Sequence, residues 1–289
     1  MKYRDRQGNE FEQTTGQDKF LADAYRSKTG RALMKFLGSP VFSKASRVFL
    51  DSGLSVRVID KFCESNNIDL SDYEDREYKS FNDFFTRKIK DGKRSFSSDD
   101  KLLCSPSDGK VSAYEITNSS VFVVKNSVYS VYSLLRDKKL ADKYNGGTCL
   151  IIRLSVDDYH RYAYPCDGIK SRNRTIKGIL HTVNPVVSKY LPVYHENSRE
   201  YCMIRSEQFG DIIQMGVGAL LVGKITNDVI SKCKVTKGEE KGFFEFGGST
   251  IILLLEKDKV KVCDDLINNT RQGYETLVKQ GDTLAESLL

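Results

Sequence analysis

The sequence has no run approaching about 18 consecutive apolar residues, which excludes a bilayer-spanning helix. Its first residues, MKYRDRQGNE, contain no apolar stretch, which argues against a secretory signal. No two cysteines stand in a Cys-x-x-Cys pair. Histidine is limited to three residues, so the spacing of a zinc site is missing and no metal is expected. Proline is limited to five residues and low-complexity tracts are absent, so a wholly disordered chain is not expected. The seven cysteines, Cys63, Cys104, Cys149, Cys166, Cys202, Cys233 and Cys263, are odd in number and scattered. They read as free thiols in a reducing compartment.

What is present suits a folded chain. A length of 289 residues allows one large domain or two smaller ones, and a hydrophobic fraction of 39% is adequate for a core at this size. Basic residues number 45 and acidic residues 39, a net charge of +6. That balance fits an anionic surface of lipid or nucleic acid, and it equally fits no particular partner.

The texture changes near residue 95. Before it the pattern is helical. Asp18 to Ser27 spaces Phe20, Leu21, Ala24 and Tyr25 on one face, with Gly30 as a stop. Ala32, Leu33, Phe36 and Leu37 form a second short face. Val41 to Leu50 and Val56 to Cys63 continue the pattern up to Asn66–Asn67, and Ser80 to Ile89 aligns Phe81, Phe84, Phe85 and Ile89. After residue 100, short β-branched runs alternate with turns. Lys110–Tyr114, Ser120–Val124, Thr148–Leu154, Asp211–Met215, Gly218–Val222 and Thr250–Leu255 read as strands, with one helix expected over Ser127–Lys138. The fold class is therefore α+β, a helical region over 1–95 followed by a mainly-β domain over 96–289. Lys35, Lys44, Arg47, Arg57 and Lys61 interleave with Phe36, Phe42 and Phe49. This suits an interfacial helix on anionic lipid, and also an ordinary amphipathic helix packed on its own core.

Three places could carry chemistry. His160 follows a strong strand and stands beside Asp157 and Asp158, where an imidazole can move protons near neutrality. It can equally be a loop histidine without a task, as can His181 and His195. Asp108 precedes Gly109, a pair that also marks a simple turn. Gly247-Gly248-Ser249 leads into an apolar strand. Paired glycines allow backbone conformations closed to other residues, which is what attack by a neighbouring hydroxyl requires. A glycine bulge before a buried strand would look the same.

Taken in order, these pieces resemble the phosphatidylserine decarboxylase family. The resemblance runs from about Gly30 to the carboxyl end. It includes Phe81-Asn-Asp-Phe-Phe-Thr-Arg-Lys88, Ser105-Pro-Ser-Asp-Gly-Lys-Val111, Asp158-Tyr-His-Arg161 and Thr182-Val-Asn-Pro185. Glu196-Asn-Ser-Arg199, Val217-Gly-Ala219, Val222-Gly223 and Lys237 through Gly247-Gly-Ser-Thr250 complete the set. The Gly-Gly-Ser-Thr form looks like the branch found in some bacteria.

The resemblance implies a proenzyme that cuts itself between Gly248 and Ser249 into a large and a small chain. Ser249 would attack the Gly248 carbonyl, with His160 as base and Asp108 orienting it, and would become a covalent pyruvoyl group. That group would form a Schiff base with phosphatidylserine and release CO2 to give phosphatidylethanolamine. Asp108, His160 and Ser249 are thus the implied catalytic residues. A second family histidine is replaced by Ala163, so either His160 serves both maturation and catalysis or Tyr162, Tyr164, His181 or His195 takes one role. The resemblance also implies a peripheral protein on the cytoplasmic face of the cell membrane, docked through its helices on anionic lipid. Nucleic acid is not an expected partner, and a homo-oligomer is compatible with the chain. Two rival readings stay open: a silent lipid-binding homologue, and a pyruvoyl decarboxylase of another amine. A serine hydrolase is a poor fit, because Ser249 lacks a Gly-x-Ser-x-Gly elbow.

Overall fold

The computed structural model describes residues 2–12, 26–30, 32, 39–124, 127–178, 196–221 and 224–289. The helices expected over Asp18–Ser27 and over Ala32–Leu37 lie almost wholly outside these residues. In chain order the first strands are β1 (Lys2–Arg4), β2 (Glu10–Glu12), β3 (Leu102–Cys104), β4 (Gly109–Glu115), β5 (Val121–Val124) and β6 (Ser127–Ser130). Next come β7 (Thr148–Leu154), β8 (Arg161–Ala163), β9 (Gly168–Lys170), β10 (Arg174–Ile176), β11 (Arg199–Ser206) and β12 (Gly210–Leu221). The last are β13 (Ile225–Asn227), β14 (Cys233–Val235), β15 (Glu240–Phe244), β16 (Gly247–Leu255), β17 (Val260–Val262), β18 (Glu275–Val278) and β19 (Thr283–Ser287). The helices are α1 (Pro40–Leu50), α2 (Ile59–Asn66), α3 (Phe81–Phe85), α4 (Val131–Leu135), α5 (Lys138–Asp142) and α6 (Asp264–Arg271).

The chain is α+β and mostly β. An 11-stranded sheet runs in the order β14-β9-β11-β12-β16-β7-β4-β18-β1-β2, with β10 added on β11. Its centre is the antiparallel ladder β12-β16-β7-β4. β7 and β16 read as unbroken apolar runs because both sheet faces are covered. Alternate residues feed two cores: Ile151, Met215 and Ile252 on one side, Leu150, Ile152 and Leu253 on the other. Each such side chain contributes ~1.5–3 kcal/mol by burial. A small sheet, β13-β15-β8, packs beside the second face through Tyr162 and Phe244.

The helical region attaches through a third cluster. Ile59, Phe81, Phe84 and Phe85 are buried there, with Phe62, Val156 and Phe246 against them. Local signals set the helix ends. Ser39 caps α1 by accepting from the Phe42 N–H, Pro40 sits at its start, and Asn67 ends α2 in the left-handed region at φ 51°. α3 is shorter than the expected Ser80–Ile89: it stops at Phe85, and Ile89 instead bridges to Tyr73.

Two further expectations change. The helix over Ser127–Lys138 is in fact a strand, β6, followed by α4. Ser127–Ser130 pairs with β5, and the Ser130 side chain then caps the turn into α4. The chain also opens with a β hairpin, β1–β2, whose first strand runs parallel to β18, so residues 2–12 extend the large sheet. All seven cysteines are free.

Gly109 does not form a hairpin turn. It opens β4 at φ 153°, and a Cβ there would lie 2.8 Å from the Arg153 carbonyl oxygen. Gly109→Ala is therefore expected to cost ~1–3 kcal/mol of stability. A lower denaturant midpoint at unchanged slope would show it; an unchanged midpoint would refute the close approach.

Candidate functional site

The sheet register places the Gly-Gly-Ser segment. Ser249 pairs with Leu154, the last residue of β7, on one side and with Gly218 of β12 on the other. Beyond Gly218 the register shifts, so that Leu221 faces Gly247. β12 thus carries one residue more than the strand it faces, and this bulge lies opposite Gly248. Bulges bend the ladder locally and re-aim what stands on it. Asn197 holds the bulge from outside: its Nδ2 donates to the Gly218 carbonyl at 2.8 Å. The glycines are therefore inside the strand, not ahead of it.

From Leu154 the chain turns through Ser155–Tyr159 and reaches His160. The His160 carbonyl accepts from Phe244 N–H at 3.0 Å, which ties it to β15, just ahead of the Gly-Gly-Ser segment. Its ring lies 4.0 Å, centroid to centroid, from Phe85. Phe85 in turn meets Phe246 at 5.1 Å, and Phe246 directly precedes Gly247. One aromatic shell therefore borders both the imidazole and the approach to Ser249.

His160 and Ser249 are fully buried. Among the described residues, the Ser249 Oγ and the His160 Nε2 have no hydrogen-bond partner. Buried polar atoms left unpaired are uncommon, and each calls for an explanation. His160 Nδ1 lies 2.9 Å from the Asp158 carbonyl oxygen. A carbonyl only accepts, so Nδ1 carries the proton and Nε2 keeps its lone pair. Burial first, helped by the nearby charge of Arg87 and Lys110, pushes the imidazole down to about 3. Neutral His160 is therefore a base by tautomer and by charge at physiological pH.

Asp108 stands apart from this arrangement. Its carboxylate accepts from Arg94 Nε at 2.8 Å and Nη2 at 2.6 Å, a bidentate and nearly buried ion pair. It also accepts from Gln280 N–H at 2.8 Å. The orienting contact on His160 that the resemblance assigns to Asp108 is made here by the Asp158 main chain. Asp158 is itself anchored: Lys110 Nζ lies 2.8 Å and 3.0 Å from its two carboxylate oxygens, and Ser155 N–H donates at 2.6 Å. Burial alone would raise the Asp158 pKa, but Lys110 outweighs it and the net direction is down.

Ala163 is buried, its N–H bonded to Pro106 O and its carbonyl accepting from Gln214 Nε2 at 2.9 Å. Tyr162 and Tyr164 are poor substitutes for a proton carrier, since burial pushes both phenols up. The Tyr162 hydroxyl is hydrogen-bonded to Asn227 Oδ1 at 3.2 Å. His181 and His195 lie outside the described residues.

Sequence reasoning missed Arg94, Gln280 and the task of Asn197. Arg94 sits in a turn outside the matching motifs, and Gln280 lies in the loop between β18 and β19. It also missed an apolar cleft of about 340 Å³ lined by Leu50, Val58, Lys61, Phe62, Phe81 and Phe246. The cleft ends on Phe246 at the start of the Gly-Gly-Ser segment. Around it Val48, Phe49 and Leu54 are exposed at 69%, 50% and 66%. Arg47, expected to face lipid, instead pairs with Glu245 at 3.1 Å and so fastens α1 to the segment between β15 and β16. Among the described residues no helix is long and apolar enough to cross a membrane, and no cluster of side chains could hold a metal ion.

Comparison with known proteins gives a consistent result. A family model described as phosphatidylserine decarboxylase matches residues 81–286, a span that contains Asp108, His160 and Ser249. Phosphatidylserine decarboxylase proenzyme 2 of Clostridium acetobutylicum is 47% identical over 273 residues, covering 94% of this chain and 92% of that protein. A phosphatidylserine decarboxylase proenzyme of Clostridium botulinum is 41% identical over 290 residues, covering 98% of each chain. One from Ruminiclostridium cellulolyticum is 39% identical over 284 residues, covering 96% of this chain and 94% of that protein.

The burial of neutral His160 has a consequence for stability. Its native value of about 3 lies below the ordinary 6.5, so the unfolded chain binds more protons between the two. The contribution is complete above about pH 6.5 and is lost as pH falls toward 3. In a Ser249→Ala background, adding His160→Gln is expected to remove roughly 2 kcal/mol of the stability difference between pH 7 and pH 5. Urea unfolding at both pH values measures this; identical pH dependence with and without His160 would refute it.

Proposed function

Because this chain belongs to the phosphatidylserine decarboxylase family, we propose that it is a self-cutting precursor that goes on to convert phosphatidylserine to phosphatidylethanolamine. The observation that carries the reading is that Ser249 Oγ and His160 Nε2 are both buried and, among the described residues, unpartnered, in segments tied together by the bond from Phe244 N–H to the His160 carbonyl.

His160 Nε2 takes the Ser249 hydroxyl proton as Oγ attacks the Gly248 carbonyl carbon. The peptide C–N bond breaks, the Ser249 nitrogen receives a proton, and an ester joins Gly248 to Ser249. Loss of the Ser249 Cα proton expels Gly248 as a carboxylate and leaves dehydroalanine. Its imine form reacts with water, releasing ammonia and leaving a pyruvoyl group at position 249. The residues present fit that group: a buried serine hydroxyl without a competing partner, behind two glycines. The pyruvoyl group supplies a carbonyl that captures the head-group amine and takes up the electron pair left when CO2 departs. Phe85 covers the His160 ring and would limit water there, and His160 is the group available to return a proton. The large chain would be residues 1–248 and the small chain 249–289.

The apolar cleft and its exposed rim supply the membrane side of this reading. Val48, Phe49 and Leu54 would enter the lipid, with exposed Lys44, Arg57 and Lys61 beside them for anionic head groups. Arg47 is left out, since Glu245 and Asp51 hold it. The protein would then sit peripherally on the cytoplasmic face of the cell membrane.

Intact mass under denaturing conditions tests the first step. The native sequence is expected to give chains 1–248 and 249–289, the latter blocked at its amino end. Ser249→Ala should give one uncut chain, and His160→Ala should slow cutting by roughly 10²–10⁴. An uncut native chain that also releases no CO2 from phosphatidylserine vesicles would leave only a silent lipid-binding homologue.

Vesicle sedimentation tests the second. Neutralising Lys44, Arg57 and Lys61 is expected to weaken binding to anionic vesicles by about 1 kcal/mol per charge, near fivefold each. Phe49→Glu with Leu54→Glu should weaken it further. Binding indifferent to salt and to all five changes would remove the docking surface from the proposal.

A further inference from the structure

We propose that Lys110 and Asp158 are the positioning pair for His160, fixing its tautomer through the main chain. The inference rests on the reading of His160 as the proton-transfer group. It goes beyond it by assigning the orientation of the imidazole to residues other than Asp108.

Among the described residues one acceptor orients the imidazole, the Asp158 carbonyl at 2.9 Å. That carbonyl is only as fixed as the turn that carries it. Three contacts lock the turn. The Asp158 N–H donates to Ser155 O at 3.0 Å, and the Asp158 carboxylate folds back to accept the Ser155 N–H at 2.6 Å. Lys110 Nζ then reaches across from β4 to both carboxylate oxygens, and to Ser155 Oγ at 3.3 Å. The pair is nearly dry, with the two side chains 4% and 10% exposed. Breaking such a pair leaves an uncompensated buried charge, so the turn has no comparable alternative arrangement. Lys110 belongs to the strand that begins just after Asp108. The Ser-Asp-Gly-Lys segment therefore does reach His160, through its lysine. Its aspartate is committed to Arg94 and Gln280.

A rotated Asp158 carbonyl would free Nδ1, and Nε2 could then carry the proton. A base in the wrong tautomer cannot take the serine proton. Lys110 and Asp158 touch neither Ser249 nor substrate in this scheme; they act through the ring of His160.

The test uses the full chain with its histidines labelled in 15N. Only three imidazoles are present, and the His160→Gln chain assigns the one that matters. In the uncut Ser249→Ala chain, long-range 1H–15N correlation is expected to show His160 protonated on Nδ1. Adding Asp158→Asn or Lys110→Met should mix the tautomers, whereas Lys110→Arg should restore the native pattern and Asp108→Asn should leave it unchanged. In chains that keep Ser249, Asp158→Asn and Lys110→Met should slow cutting by roughly 10- to 100-fold, part of what a positioned base contributes. Lys110→Arg covers the case in which Lys110→Met fails to fold. The proposal is overturned if folded Asp158→Asn keeps the Nδ1 proton, or if Asp108→Asn is the change that moves it. If the native chain never cuts itself, the functional reading fails, and the tautomer pattern still decides this one.

Discussion

The structure depends on one ladder. β16 is hydrogen-bonded along both edges, to β12 and to β7, and its side chains enter both cores of the large sheet. Nothing in Ser249–Leu255 can shift by one residue without turning every apolar side chain to the other face. This is the constraint that fixes Ser249 beside Leu154 and brings the Gly247–Gly248 backbone against a bulge in β12. A cut between Gly248 and Ser249 would leave this strand stitched into the sheet from both sides. The two products would remain one folded body, because the register that aims the hydroxyl is also the bond between the chains.

The charges around this ladder are arranged as pairs with separate tasks. Arg94 and Asp108 join the turn before β3 to the start of β4. Arg153 and Glu275 meet at 2.6 Å at the side of the sheet. Lys110 and Asp158 fasten the turn before His160. Paired charges of this kind contribute little net stability compared with apolar side chains, and their value lies in permitting one arrangement only. The imidazole beside them has no partner on Nε2 among the described residues, and burial keeps it neutral. Dry surroundings that would be costly around an isolated charge keep a lone pair available.

Much of this was legible in the sequence, and the limits follow from physics. The apolar runs of β7 and β16 gave the centre of the sheet directly, since strands covered on both faces need no alternation. Asp211–Met215 and Gly218–Val222, read as two strands, fall as far as Leu221 in the single strand β12, because Gly216 fits the ladder and a bulge absorbs the irregularity beyond Gly218; Val222 lies outside the described residues. Ser127–Lys138 misled because Val128, Tyr129 and Val131 sit at spacings that suit either element, and pairing with β5 decided the outcome. The hairpin β1–β2 left no signal, being two three-residue strands rich in charge. Among the site residues, Asp108, His160 and Ser249 could be named from the ordered motifs. What orients His160 could not, because a main-chain carbonyl is the same in every residue. Arg94 lies in a turn where nothing in the local pattern marks it.

The replacement of a second family histidine by Ala163 acquires a physical meaning here. Ala163 closes β8, its backbone committed to Pro106 and Gln214 and its side chain buried, so that position offers no proton carrier. If His160 is the imidazole that serves both steps, it would both accept and return protons. Its surroundings favour the second half of that cycle. A ring pushed down to about 3 by burial is a weak base, and once protonated it is a strong acid. It would take the serine proton slowly and return it readily, to the departing nitrogen during cutting or to Cα after loss of CO2. A slow first half is tolerable where cutting happens once in the life of each chain, while the proton return is demanded at every turnover. At each turnover the ring would have to regain that proton, so the burial that makes the transfer easy makes the reloading slow, a cost that a base tuned to neutrality would not carry.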